Sequence, residues 1–112
     1  MLIVLLDDRT LYVFPSAADV VRKIEALDAE EIRAAFDDSA VPYEVEWLQP
    51  NRPMGCLFGF LGMVQPGEYR LVPSGPPDPA SLIELLEAYS DHTNPREAKA
   101  ELTRLLTRLR AG

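Results

Sequence analysis

Apolar and polar residues alternate most regularly at Tyr43, Val45 and Trp47, which are separated by Glu44 and Glu46. Successive side chains of a strand point to opposite faces, so this spacing predicts a half-buried strand with one apolar and one acidic face. The run Cys56 to Val64 is apolar throughout but too short to cross a bilayer, and it reads as a central strand covered on both faces. Gln65, Pro66, Gly67 and Glu68 then predict a turn, in which Pro66 presets φ and Gly67 takes the positive φ of a type II geometry. Tyr69 to Val72 is expected to return antiparallel to the central strand. Nearer the start, Leu2 to Leu6 and Leu11 to Phe14 flank the polar Asp7, Asp8, Arg9 and Thr10, the pattern of a hairpin.

Helical periodicity takes over at Ser16. Ser16 is an N-cap with Asp19 three residues on, and Ala17, Val20, Val21, Ile24 and Leu27 fall on one face, predicting a helix over 16–27. From Asp28 to Phe36 two patterns compete. Asp28 with Glu31 suits the cap of a short helix, whereas Ile32, Ala34 and Phe36 alternate as in a strand. The strand is preferred, because Asp37, Asp38 and Ser39 would turn it back into Tyr43 to Leu48 as a hairpin. Asp78 as N-cap with Pro79 in the first turn starts a further helix, striped by Leu82, Ile83, Leu86 and Tyr89. Asn94, Pro95 and Glu97 repeat the start signal for a last helix. Its stripe is Ala98, Leu102, Leu105, Leu106 and Leu109, with Arg104, Arg108 and Arg110 near the end of the dipole that favours cations. The order β-β-α-β-β-β-β-α-α is that of an α+β domain, with a mainly antiparallel sheet of about five or six strands and helices packed on one face.

A chain of 112 residues is expected to form one domain, residues 1–112, and to bury roughly two thirds of its unfolded surface without staples. Pro73 to Pro79, read PSGPPDP, is a stiff connector, since too few residues follow it for a second core. Leu2 to Leu6 is too short, and lacks the basic flank, for a secretion signal or a membrane span, so a cytoplasmic location is expected. The single cysteine, Cys56, excludes an internal disulfide.

Charge changes the picture more than composition does. Residues 1–91 carry sixteen acids and six bases, whereas residues 92–112 carry two acids and five bases. Nucleic acid is a poor partner for the first part, because such binding gains from neutralised phosphates. Between Glu25 and Glu46 eight acids stand against the one base Arg33, which predicts a negative surface suited to a basic partner. The surface is placed at Asp37, Asp38, Glu44 and Glu46, with Tyr43 and Trp47 as either interface anchors or core.

Catalytic chemistry is thinly represented. His92, the single histidine, lies in the polar Ser90-Asp91-His92-Thr93 link with no nucleophile or orienting acid at a fixed spacing. Cys56 opens an apolar strand and reads as a buried thiol. Asp7-Asp8 and Asp37-Asp38 lack the spaced oxygen ligands of a calcium loop, and Gly55, Gly59 and Gly62 are followed by no Gly-Lys-Ser/Thr, so no phosphate loop is formed. No catalytic residue, metal ligand or cofactor is assigned.

A small acidic α+β domain without a catalytic set resembles the immunity proteins of bacterial toxin–immunity pairs, which plug the active site of a secreted toxin. The segments YEVEW, PNRPMG, LFG and GEYRLVP are similar to parts of such families, over about a third of the chain. The resemblance implies a non-enzymatic inhibitor whose partner is a cognate protein toxin, such as a nuclease. It implies neither nucleic acid nor membrane as partner, and a monomer or homodimer. Two other classes fit the residues: a homodimeric regulatory or assembly domain joined by a sheet edge or by the leucine stripe of the last helix, and a ligand-binding domain with its pocket at the Gly-rich strand and the Pro73 to Pro79 loop.

Overall fold

The computed structural model describes residues 1–53 and 64–112. Strand β1 (Leu2–Leu6) is apolar at every position, so neither of its faces can be left in water. It lies between β2 (Leu11–Phe14) and β3 (Ile32–Asp37), antiparallel to both, and β8 (Thr93–Asn94) adds parallel to β2, giving the order β3-β1-β2-β8. Ile3 and Leu5 point into one core with Leu11 and Phe36. The helices α3 (Pro79–Tyr89) and α4 (Lys99–Ala111) close that core with Leu82, Leu85, Leu86, Leu102 and Leu105. Leu2 and Val4 point the other way, into a core with Phe14, Ala35, Val20 and Ile24 around α1 (Ala17–Lys23), and Ala29 of α2 (Ala26–Ala29).

The fold is α+β, as expected, but its layers differ. The helices cover both faces of a four-stranded sheet, not one face of a sheet of five or six strands. The remaining strands form a separate ribbon. Strands β4 (Tyr43–Gln49) and β5 (Arg52–Pro53) run out, and β6 (Val64–Gln65) and β7 (Glu68–Pro73) run back, with β4 paired to β7 and β5 to β6. Tyr69 to Val72 pairs antiparallel with the Tyr43 strand. The expected central strand, except for Val64, lies outside the described residues, as do Cys56, Gly55, Gly59 and Gly62.

Two local expectations are corrected for physical reasons. Asp37 to Ala40 does turn the chain, but the backbone pairing of β3 with the returning chain stops at the bridge between Phe36 and Pro42, and β4 forms its ladder with β7 instead. Gly67 does not adopt positive φ; a Cβ there would lie 1.9 Å from the Gln49 carbonyl oxygen, so glycine is required by close approach of the two arms. Asn51 bridges the same place, its side chain accepting from the Gly67 N–H at 2.7 Å and donating to the Ala26 carbonyl at 2.9 Å.

Two of the three expected helix starts, at Ser16 and Asp78, follow the sequence; the third, at Asn94, does not. Ser16 accepts from the Asp19 N–H at 3.3 Å, and Asp78 accepts from the Ser81 N–H at 3.2 Å. The end of α1 departs from the sequence pattern. Helix α1 stops at Lys23, Ile24 turns extended, and α2 begins at Ala26, which leaves Leu27 41% exposed instead of on the buried face. The preferred strand is present as Ile32–Asp37, whereas Asp28 caps no helix: it lies inside α2, whose N-cap is Glu25. Asn94 belongs to β8, and α4 begins only at Lys99 after a 3₁₀ turn, Arg96–Ala98. Among the described residues no helix is long and apolar enough to cross a membrane.

Tyr69 ties the ribbon to the sheet core. Only 4% exposed, it donates from its hydroxyl to the Ile24 carbonyl at 2.5 Å, satisfying the end of α1, and its ring lies 5.7 Å from that of Trp47. Burial, and then the nearby Asp28 charge, push its hydroxyl up to about 12. The folded chain thus holds this proton where the unfolded chain, with an ordinary tyrosine near 10, has lost it. Its contribution is complete below about pH 10 and falls as pH rises toward 12. Tyr69→Phe is expected to cost about 1 kcal/mol at neutral pH and to lose this alkaline component, which denaturant melts of both proteins from neutral to alkaline pH will check.

Candidate functional site

The strand pattern at Tyr43 to Trp47 folds as its alternation requires. Tyr43, Val45 and Trp47 face inward with Tyr69 and Leu71, so they belong to the core layer, and Glu44 and Glu46 face outward. The four acids expected to form a docking surface do not share one environment. Asp37 is spent on its own turn: Oδ1 accepts from the N–H groups of Ser39 at 2.9 Å and Val41 at 3.0 Å, and Oδ2 accepts from the Tyr43 hydroxyl at 3.3 Å. Burial, followed by the Asp37 charge, raises the Tyr43 hydroxyl above its ordinary value. Asp38 lies 3.8 Å from the N-terminal amine, and its carbonyl accepts from Arg108 at 2.5 Å, a cationic neighbourhood. Glu46 is paired across the ribbon with Arg70, at 2.6 and 3.1 Å. Among the described residues Glu44 has no basic partner within 4.0 Å.

A different set of acids gathers where the four-stranded sheet ends at β3. On one side of β3 a crevice of about 270 Å³ is lined by Glu30, Arg33, Glu44, Val45 and Trp47, among others. On the other side a groove of about 690 Å³ runs between β3 and α3, with Glu84 and Glu87 on its rim. Ala34 lines both, so the two depressions adjoin at β3, one with Glu30 and Glu44 in its lining and the other with Glu84 and Glu87. Arg33 is neutralised by Asp7 and Glu87 shares Arg110 at 3.0 Å, while Glu30 and Glu84, like Glu44, are without a basic partner among the described residues. The sequence singled out Glu30 and Glu44 as part of its acidic run. It missed Glu84 and Glu87, which lie far along the chain; the available signal was that α3, PASLIELLEAY, carries acids and no base.

The other candidates have structural duties. Asp8 accepts from the Thr10 N–H at 3.0 Å and from the Tyr12 hydroxyl at 2.8 Å, and that hydroxyl bond holds its carboxyl below the ordinary carboxylate value while raising Tyr12. His92 is exposed, and its backbone carbonyl accepts from the Leu11 N–H at 2.8 Å to start the β2–β8 pair. Asp91 beside it bonds Lys99 at 2.8 Å, which lowers its carboxyl. Among the described residues no group of three or more His, Cys, Asp or Glu is placed to hold a metal ion. The leucine stripe of α4 is not a free dimer face, because Leu102 and Leu105 are buried against α3 and the sheet. The Pro73 to Pro79 loop packs on the β3–β4 turn, with the Ser74 and Asp78 N–H groups donating to Pro42 and Ala40 at 2.8 Å each. A second cleft of about 690 Å³ lies elsewhere, between the end of β2 and the start of α4, lined by Tyr12, Phe14, Lys23 and Glu101 among others.

Comparison with protein-family models, with curated proteins and with solved structures found no match to this chain.

The hydrogen bonds of Asp37 predict a stability role separable from any docking role. Asp37→Ala is expected to cost about 1–2 kcal/mol by releasing three donors of the turn, read as a lower denaturation midpoint, whereas Glu44→Ala should leave the midpoint within about 0.5 kcal/mol.

Proposed function

We propose that this protein is a non-enzymatic immunity protein that binds a cognate bacterial toxin and neutralises it by covering a basic active site with an acidic surface. The observation that carries the reading is the pair of adjoining depressions at β3, whose linings include Glu30, Glu44 and Glu84, three carboxylates without a basic partner among the described residues. Carboxylates held near one another on the surface repel, so a cation brought by a partner relieves that repulsion and is drawn in at long range. A toxin that acts on an anionic substrate presents such cations at its own active site. An acidic protein seated there excludes the substrate by both charge and bulk.

The carboxylates of Asp37 and Glu46 are already bonded, which leaves Glu30, Glu44 and Glu84 to meet the partner. Co-expression with the product of the adjacent open reading frame tests it. The expected result is rescue of growth and a stoichiometric complex whose affinity falls at least about tenfold as salt is raised from about 0.05 to 0.5 M. Reversal of Glu30, Glu44 and Glu84 to Lys should weaken binding by about tenfold or more and flatten the salt dependence. Unchanged affinity and salt slope in the reversed protein would overturn the acidic-surface reading.

A further inference from the structure

We propose that the groove between β3 and α3 is the seat for an extended segment of the partner in which basic and apolar side chains alternate. The inference deepens the immunity reading, on which it rests for the partner's positive charge, by naming the part of the acidic end that takes side chains in. One wall of the groove is a single stripe of α3, Ser81, Glu84, Leu85 and Ala88, at helical spacings of three, four and seven. The other is Ala34 and Phe36 of the last strand of the sheet. The floor is thus apolar, and Ala34 and Ala88 are small enough to let another chain approach closely.

Glu84 and Glu87 line the groove beside this apolar floor; Glu87 is shared with Arg110 of α4 at 3.0 Å, so Glu84, without a basic partner among the described residues, is the carboxylate there open to an incoming cation. An extended chain turns every second side chain to the same side. Alternation therefore delivers an apolar side chain to Phe36 and Leu85 while its neighbours, if Lys or Arg, reach the carboxylates. Beyond Ala34 the same segment would come within the field of Glu30 and Glu44. The groove is an open surface depression of about 690 Å³, broad enough for a segment to lie across it.

The test uses the whole protein and the peptide acetyl-Lys-Val-Lys-Val-Lys-amide, with acetyl-Glu-Val-Glu-Val-Glu-amide as control, followed by backbone amide NMR. The groove predicts saturable shifts concentrated at Ala34, Phe36, Ser81, Leu85 and Ala88 with the basic peptide and none with the acidic one. Ala88→Trp, which fills the groove from an exposed helix position, should weaken binding about tenfold with little change in melting temperature. If that variant misfolds, Glu84→Gln with Glu87→Gln supplies the same reading without added bulk. Shifts that never saturate, that spread evenly over Asp8, Asp91 and Glu101, or that survive both substitutions would overturn the groove. Rescue by co-expression is independent of this peptide, so an immunity protein that docks elsewhere gives rescue without groove binding.

Discussion

Burial of both faces of β1 is the constraint on which the other layers depend. Ile3 and Val4 are 0% exposed yet point in opposite directions, the first toward α3 and α4, the second toward α1 and the ribbon. A shift of one residue in the pairing of β1 would exchange the two sets of side chains, presenting each core with the wrong volumes, so the register with β2 and β3 is held from both sides. With roughly 1.5–3 kcal/mol for each large aliphatic side chain removed from water, the four inward residues Leu2 to Leu5 supply a substantial part of the drive that docks the layers.

The ribbon depends on that arrangement in turn. Strands β4 and β7 alone would be a two-stranded hairpin, marginal in water. Tyr69 and Leu71 from β7, with Tyr43, Val45 and Trp47 from β4, complete the core around α1, and the Tyr69 hydroxyl satisfies the carbonyl at the end of that helix. Fixing the inner face fixes the outer one. Glu44 projects beside the β3 crevice because Tyr43 and Val45 on either side of it are turned inward, and α3 sets Glu84 and Glu87 on the opposite side because Leu82, Leu85 and Leu86 hold that helix on the sheet.

Local signals were therefore legible where neighbours in sequence decide the structure. The caps at Ser16 and Asp78, the apolar stripe of α4, and the inward face at Tyr43, Val45 and Trp47 are as the residues indicate, and in α3 Leu82, Leu86 and Tyr89 are too, with Leu85 in the core in place of Ile83. Pairings between distant segments were not. Asp37 to Ser39 signals a turn but cannot say that β4 will pair with residues 19 to 30 positions away in β7, as Glu46 does with Arg70. The two-sided layering did have a signal: an unbroken apolar run such as Leu2 to Leu6 marks a strand covered on both faces, the rule applied to Cys56 to Val64. The acidic end was half legible, since Glu30 and Glu44 lie in the acidic run, whereas Glu84 and Glu87 join them only through the packing of α3 along β3. A carboxylate's availability is set by its partners, which is why Asp37 and Glu46 looked free in sequence and are bonded in the fold.

The most direct measurement of the central claim, that one buried strand joins both layers into a cooperative unit, is native-state hydrogen exchange under increasing denaturant. The account predicts that the slowest amides of α3 and those of the β4–β7 ribbon converge on one free energy, the same as that of global unfolding and as that of β1. A ribbon that opens at distinctly lower free energy while α3 and β1 stay protected would contradict it, and would mean that the two cores are independent.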